Sequence, residues 1–413
     1  MKKKLLSVIL AAAMVFSLAA CGGDKNADAN ADANAGANTE AEAEAPADTE
    51  AEASAPEASG TIMWLSNLSS GVQYEAAKAY AESLCAAWGY EFKIVYGDMM
   101  NDPAGNLNAV KNEMTDDVVA IVASQDGGLK DIMAEYPELY VAGYNTDMTN
   151  VFGEGGSSAE CATNEKFLGT IADGHIDGAD LGKQMFDMVV EKGYKKVSTI
   201  IFPVYAYPNL TAGDMAFRAA VEEYNATAAD ADKIEIVGDA KVLEFAPLED
   251  AYFLDAAYQD LDCIVAMCAG VDFVYPALKA AIAGGTCSAD TKMITSGFND
   301  DSSILADIGG EGVIQGVTIS PVENIGWSLT MIDKALKGAM YSDFTASERF
   351  DSLEYVMDSV EDVTNVMEKS LNGTADASLA QITAEELQGA ATYADLRALF
   401  MADQLTVDAL ANR

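Results

Sequence analysis

The stretch KMITSGFNDDSSILADIGGEGVIQGVTIS, residues 292–320, decides the fold class of this chain. Its two ends, 292–299 and 313–320, are short apolar runs that contain β-branched residues, which favours strands, and a polar, glycine-containing segment separates them. Strands with consecutive apolar residues are typical of parallel sheets that helices cover on both faces. The stretch therefore predicts part of an α/β fold.

The same alternation extends back to Thr61. Amphipathic segments separate the strand-like runs, and the first of them carries Tyr80, Leu84 and Trp88 on one helical face. About ten strands are too many for one open sheet, so the sequence predicts two doubly wound parallel-sheet lobes. The further strands are expected at 61–66, 91–97, 118–124, 139–145, 167–173, 196–203, 233–245 and 262–268.

The chain is also predicted to end in a helical extension. This extension is a helical tail expected over 375–413. Two earlier helices are expected at 248–259 and at 322–337. The pair Thr383 and Glu386 has the spacing of a capping box, which typically opens a helix.

Residues 1–20 have the features of an export signal. Three lysines at positions 2–4 precede an apolar run that ends in small residues and is short for a transmembrane helix, which is the alternative. Residues 18–21 resemble the lipobox of bacterial lipoproteins, which implies cleavage before Cys21 and a lipid on its thiol. The segment 21–60 is rich in Ala, Asp and Glu and lacks large apolar side chains, so we expect a disordered acidic tether.

The charge of the chain excludes two classes of partner. The sequence holds 66 Asp and Glu against 24 Lys and Arg, which gives a formal net charge of -42. A surface this acidic repels phosphate groups. We therefore expect no nucleic-acid binding and no direct adhesion to an anionic membrane surface.

The cysteines and the histidine do not indicate a metal site or catalysis. His175 is the only histidine, which argues against zinc and against a catalytic triad. The chain has no nucleophile elbow, no phosphate-binding loop motif and no H-E-x-x-H, so we predict a protein that is not an enzyme and has no cofactor or metal. An odd number of cysteines without a C-x-x-C pair favours buried thiols over a disulfide framework. These cysteines are Cys85, Cys161, Cys263, Cys268 and Cys287.

Polar and aromatic side chains follow the ends of most predicted strands. Ligands of open α/β sheets bind at the carboxyl ends of the strands, where amides and carboxylates form hydrogen bonds and aromatic rings stack. Each of these residues could instead cap a helix or shape a loop, but the set as a whole predicts a ligand cleft. The predicted ligand-binding residues are Asn67, Ser70, Tyr74, Gln125, Asp126, Asn145, Asp147, Asp173, His175, Tyr205, Tyr207, Asp272, Asn299 and Ser320.

Four segments of the folded region resemble the type I periplasmic binding proteins, more narrowly the ribose and galactose branch that serves ABC importers. They are IVASQDGG, YVAGYNTDM, ADGHIDGADLG and SGFNDDSSILADIGGEGVIQGVTISPVENIG, of which the last, residues 296–326, is the most specific. The resemblance implies that two lobes close around a small molecule. The implied boundaries are 61–172 with 321–374 for the first lobe and 173–320 for the second, with hinges near 172–174 and 318–321.

Three positions depart from the sugar site of that family. Asn299 stands where the family has an aspartate, Arg218 falls after a phenylalanine and is expected to face solvent, and residues 319–320 replace an amide. Specificity for a pentose or a hexose is therefore not implied. The predicted cleft has acids and few bases, which favours a neutral polyhydroxy solute or an amine over an anion.

Together, the resemblance and the amino-terminal features imply a monomeric lipoprotein on the extracytoplasmic face of the cell membrane. It would hold a sugar-like solute and present it to the permease subunits of an ABC transporter. A nucleoside- or amine-binding lipoprotein stays open as an alternative. So does a sensor that delivers its ligand signal to a receptor instead of a permease.

Overall fold

The computed structural model describes residues 59–97, 102–172, 178–373, 376–378, 380–401 and 406–412. The predicted export signal, the lipidation site Cys21, the tether up to residue 58, Asp173 and His175 lie outside this description. No helix within the described ranges has both the length and the apolar character that a membrane span requires.

The described chain alternates strands and helices. The strands are β1 (Thr61–Ser66), β2 (Glu91–Tyr96), β3 (Val118–Ala123), β4 (Tyr140–Tyr144), β5 (Phe167–Ala172), β6 (Lys196–Ile201), β7 (Glu235–Ile236), β8 (Lys241–Val242), β9 (Cys263–Ala269), β10 (Lys292–Ser296), β11 (Ile314–Ile319), β12 (Arg349–Asp351) and β13 (Tyr355–Met357). The helices are α1 (Val72–Trp88), α2 (Pro103–Glu113), α3 (Leu129–Glu135), α4 (Thr149–Phe152), α5 (Ala179–Lys192), α6 (Pro208–Thr227), α7 (Gly270–Phe273), α8 (Tyr275–Gly284), α9 (Ser302–Leu305), α10 (Asn324–Leu336), α11 (Val360–Asn365), α12 (Ala384–Gly389), α13 (Tyr393–Phe400) and α14 (Val407–Ala411).

The strands form two sheets, as the sequence predicts. The first has the order β12-β5-β4-β3-β1-β2, and all its pairs are parallel. The second has the order β13-β11-β10-β9-β6-β7, with β8 also paired to β6, and only β13 runs antiparallel to its neighbour. The prediction of an α/β fold with parallel sheets is confirmed.

Helices cover both faces of the first sheet, which is why its central strands are apolar throughout. Every residue of β1 and of β5 is buried. Helix α1 places Tyr80 and Leu84 in one core cluster, whereas α2 and α3 contribute to a second cluster on the other face. Gly89 ends α1 in the left-handed conformation (φ 81°), which glycine adopts without strain.

The lobe boundaries need one correction. The segment 321–374 was expected to belong wholly to the first lobe, but β13 lies within it and pairs with β11 of the second sheet. The chain then returns to the first lobe, because the π-helical segment Val366–Leu371 packs against α1. Strands of three residues, such as β12 and β13, are too short for a hydrophobic period to reveal them.

The carboxyl-terminal extension is integrated into the first lobe. The predicted capping box of Thr383 and Glu386 is present and opens α12. The Tyr80 hydroxyl donates to the carbonyl of Ile382 at 2.5 Å, and Ser370 Oγ donates to the fully buried carboxylate of Glu323 at 3.0 Å. The extension therefore completes the core beside α1 and α10.

Two local predictions in the second lobe are wrong. The continuous strand expected at 233–245 is the pair of two-residue strands β7 and β8, which Gly238 separates in the left-handed conformation (φ 69°). The helix expected at 248–259 consists of two 3-10 turns, because the Asp255 side chain accepts a hydrogen bond from the backbone of Ala257 and starts a new turn there.

Arg218 does not simply face solvent as expected. Its guanidinium donates to the Asp214 carboxylate at 2.8 Å, to Thr199 Oγ1 at 2.9 Å and to the Gly238 carbonyl at 3.1 Å. It thus ties α6 to β6 and has a structural role. The prediction that the cysteines after the tether are buried thiols is confirmed, since all five are free and buried.

Candidate ligand-binding cleft

A cavity of about 310 Å³ lies between the two sheets, at the carboxyl ends of strands from both. Its described lining comes from residues in or just after β1, β3 and β4 of the first sheet and β6, β9, β10 and β11 of the second. This is where ligands of open α/β sheets bind, and the volume lies at the lower end of the range for small-molecule pockets.

The first-lobe wall is built on a cluster of aromatic rings. Trp64 stacks on Tyr74, with ring centroids 5.6 Å apart and planes at 25°, and meets Tyr144 edge-on at 5.7 Å. Trp64 Nε1 donates to Ser124 Oγ at 2.8 Å, so the indole is held by a neighbouring strand. Burial, together with a 2.6 Å hydrogen bond to the hydroxyl of Tyr96, raises the pKa of Tyr74 well above its ordinary value. The wall therefore offers neutral, fixed aromatic surface.

Asn145 places an amide on the same wall. Its backbone is left-handed (φ 48°), a conformation that asparagine tolerates better than most residues. Asn324 Nδ2 donates to Asn145 Oδ1 at 3.1 Å and to Ser352 Oγ at 2.7 Å. This bond occupies one of the two acceptor positions of Asn145 Oδ1, so the side chain can offer a ligand its amide donors and the second acceptor position.

Thr318 contributes a hydroxyl at the point where the chain leaves the second sheet. The residue is 1% exposed and lines the cavity. Its Oγ1 atom has no hydrogen-bond partner among the described residues. A buried hydroxyl without a partner costs free energy, so a shift of the Thr318 side chain that lets Oγ1 reach a ligand or a water would be stabilising.

The second-lobe wall includes a group of buried apolar side chains. Phe202 packs against Tyr207, with centroids 5.7 Å apart, and against Phe273 at 5.0 Å. Met267 and Cys268, at the end of β9, complete this wall. Burial raises the pKa of the Cys268 thiol to about 12, so this thiol is uncharged at neutral pH.

A smaller cavity of about 90 Å³ adjoins the first and shares Asn67, Asn145 and Tyr207 with it. Asp126 in its lining accepts from the backbone nitrogen of Asn150 at 2.6 Å and from its Nδ2 at 2.9 Å. This carboxylate therefore holds the segment after β4 in place.

The structure gathers many of the predicted ligand-binding residues and leaves others apart. Asn67, Tyr74, Asn145, Tyr207 and Ser320 line the larger cavity, and Gln125, Asp126 and Asp147 line the smaller one. Asp173 and His175 lie outside the described residues. Ser70, Tyr205, Asp272 and Asn299 line neither cavity. Contact of any of these residues with a ligand stays a prediction.

Two of the distant residues pair with each other instead. Asn299 Nδ2 donates to Asp272 Oδ1 at 2.8 Å, and this bond lies on the exposed surface. The hydroxyl of Tyr205, which is 63% exposed, donates to the Glu244 carboxylate at 3.0 Å. Position after a strand was the only sequence signal for these residues, and it does not specify where a loop directs its side chains.

Sequence reasoning missed several residues of the cavity. Phe202, Met267 and Thr318 belong to strand-like apolar runs, so their side chains were counted as core. Glu354 lies between β12 and β13, two strands that were not predicted. The signal that could have found Phe202 is its large aromatic side chain at the end of a strand-like run.

Comparison with known proteins identifies the fold. No protein-family model matches the sequence, and a search of curated proteins finds no relative. Solved structures do match. A periplasmic ribose ABC transporter protein from Conexibacter woesei has a TM-score of 0.55 at 13% identity, over 78% of this chain and 99% of that one. A galactofuranose binding protein has a TM-score of 0.53 at 15% identity, over 76% and 99%.

This chain has the fold of the type I periplasmic binding proteins. A glucose-galactose binding protein from Geobacillus stearothermophilus shares the fold as well, with a TM-score of 0.53 at 12% identity, over 73% of this chain and 98% of that one. At these identities the likeness concerns the fold alone. The ligand must therefore be argued from the cavity itself.

Proposed function

We propose that this protein captures a small sugar-like solute between its two lobes and delivers it to an ABC importer. The observation that carries the proposal is the interlobe cavity, in which aromatic rings from both sheets stand beside an amide and hydroxyls. Sugar rings bind by stacking an apolar face on an aromatic ring while their hydroxyls form hydrogen bonds with amides and hydroxyls.

The mechanism that we propose is closure of the lobes around the solute. The first-lobe wall binds one face of the solute through Trp64 and Tyr74, and the second-lobe wall follows with Phe202 and Tyr207. Closure removes water from the cavity, which strengthens each hydrogen bond to the solute. We place the hinges near 172–174 and 318–321, and we propose a third at 352–354, because this segment joins β12 of the first sheet to β13 of the second.

The proposed location follows from the amino-terminal sequence. A lipid on Cys21 would anchor the chain on the extracytoplasmic face of the cell membrane, and the acidic tether 21–60 would let the folded part reach the permease. We further propose that the protein acts as a monomer and releases its solute chemically unchanged, without enzymatic activity.

A ligand panel tests the capture of a solute. The full chain would be screened by thermal shift against sugars, nucleosides and amines, with hits confirmed by calorimetry. At least one sugar-like compound should raise Tm, because a ligand that binds only the native state stabilises it. Absence of stabilisation by every compound would contradict the proposal, and hits confined to nucleosides would favour the nucleoside-binding alternative.

The transport role needs a separate test, because a sensor would bind solute in the same way. A strain that lacks this protein should lose uptake of the identified solute. Normal uptake combined with a lost transcriptional response to the solute would favour the sensor alternative.

A further inference from the structure

A hydrogen-bonded pair of asparagines connects the wall of the cleft to a segment that joins the two sheets. Asn145 follows β4 and lines both cavities. Asn324 begins α10, is fully buried, and donates from Nδ2 to Asn145 Oδ1 at 3.1 Å and to Ser352 Oγ at 2.7 Å. Ser352 opens the crossing at 352–354, between β12 of the first sheet and β13 of the second. One buried amide group therefore bonds to both a cavity residue and a crossing.

We infer that Asn324 is a positioning residue for the solute, because it fixes the direction of the Asn145 side chain against the crossing at 352–354. The inference rests on the proposed function and deepens it. Asn324 itself lines neither cavity, so it acts through Asn145 and does not touch the solute. A side-chain amide that is held in one direction binds a ligand at a lower cost in conformational entropy than a mobile one.

Both members of the pair carry a local energetic cost. Asn145 has a left-handed backbone (φ 48°), which is uncommon for a residue other than glycine. The Oδ1 atom of Asn324 is buried and has no hydrogen-bond partner among the described residues. A buried polar atom without a partner costs free energy, and backbone strain and unpaired polar atoms concentrate at functional sites. Ligand binding therefore explains this pair better than stability alone does.

The carboxyl-terminal extension holds the same crossing. The backbone nitrogen of Leu353 donates to the carbonyl of Phe400, at the end of α13, at 3.4 Å. The hydroxyl of Tyr393, also on α13, donates to the carboxylate of Glu348 at 2.9 Å. Glu348 directly precedes β12, which pairs with β5 of the first sheet. The crossing to which Asn324 bonds is therefore anchored to the first lobe, in part by the extension.

A second residue of α10 offers a matched control. Ser328 is also fully buried, and its Oγ atom donates to the carbonyl of Gly143 in β4 at 2.7 Å. Asn324 and Ser328 thus both bond α10 to the region of β4, but Gly143 lines neither cavity. Loss of either hydrogen bond should destabilise the fold, whereas only the loss of Asn324 should also weaken binding of the solute.

Calorimetry on the full chain tests the inference, and the probe is the compound of the ligand panel that binds most tightly, with D-ribose, D-glucose, D-galactose and adenosine tried first. Asn324→Ala should lower the affinity about tenfold, as expected for the loss of one hydrogen bond to the solute, whereas Ser328→Ala should change it by less than about twofold. Ser352→Ala removes only one acceptor of Asn324 and should lower the affinity about threefold, so it serves as the test if Asn324→Ala does not fold.

A double-mutant cycle separates positioning from a general structural effect. In the Asn145→Gly chain, adding Asn324→Ala or Ser352→Ala should lower the affinity by less than about twofold, because the side chain that Asn324 positions is already absent. An undiminished loss in that background, or equal losses in Asn324→Ala and Ser328→Ala, would overturn the inference while the proposed capture of a solute stands. If no compound of the panel binds the unaltered chain, the proposed function and the inference fail together.

Discussion

The first-lobe wall of the cleft and the loop after β6 on the second lobe differ in how firmly they are held. On the first-lobe wall, Trp64 is 3% exposed, stacked on Tyr74 and hydrogen-bonded to Ser124. On the second lobe, the segment after β6 exposes Val204 and Tyr205, at 57% and 63%. A wall with buried, fully paired side chains is preformed, whereas exposed loops reorganise at low cost. The first-lobe wall is therefore preformed, whereas the loop after β6 can rearrange when the lobes close.

The largest expected effect is that of Trp64→Ala. Removing this buried ring leaves a cavity and an unpaired Ser124 hydroxyl, so the free energy of unfolding should fall by about 3–5 kcal/mol in urea titrations. Tyr205→Ala is the matched control on the second lobe and should change the free energy of unfolding by less than about 0.5 kcal/mol. Equal effects of the two substitutions would refute the contrast between the first-lobe wall and the loop after β6.

Asn324→Ala should have the second-largest effect on stability. The residue is fully buried and donates to both Asn145 and Ser352, so its loss should cost about 2 kcal/mol of stability. Asn299→Ala removes a comparable amide bond to Asp272 on the exposed surface and should cost much less. A comparable loss in both variants, measured by the same urea titration, would show that burial does not separate the two networks.

Asn145 allows backbone and side-chain roles to be separated. Asn145→Ala should destabilise the protein by about 1 kcal/mol, because alanine at φ 48° is strained, and Asn145→Gly should relieve that strain. Both variants should lose affinity for the solute in calorimetry, since both lack the amide. Full affinity in Asn145→Gly would mean that the side chain does not touch the ligand.

The smallest effect concerns the thiol of Cys268. Burial raises its pKa to about 12, so at pH 8 the thiolate is a minor species and thiol reagents should react very slowly. In the Cys21→Ala chain, titration with a chromogenic disulfide should reveal the five buried thiols only after urea is added. Rapid reaction of Cys268 in the native chain would show that the second-lobe wall opens freely.

The sequence predicted the sheets well because their strands are long, apolar and evenly spaced. Residues 61–66 were expected as a strand and form β1. Prediction failed where elements were short, as at β12 and β13, or where a single glycine divided a strand, as at Gly238. The positions of these short elements depend on tertiary contacts, which the hydrophobic periodicity of the sequence does not encode.

The cleft was harder to predict than the fold. Position after a strand selected Asn145 and Tyr207, which line the cavity, but also Asn299 and Asp272, which pair with each other outside it. The direction of a loop side chain depends on partners that are distant in sequence, such as Asn324 for Asn145. Local residue type therefore indicated the general region of the site, but not its individual members.

Native mass spectrometry of the protein purified from its own host without refolding tests the central claim most directly. The account predicts a complex heavier than the chain by one small solute, which denaturation releases and which proves to be a polyhydroxy compound. A spectrum that shows only the bare chain, combined with no Tm shift by any compound of the panel, would contradict capture of a sugar-like solute in this cleft.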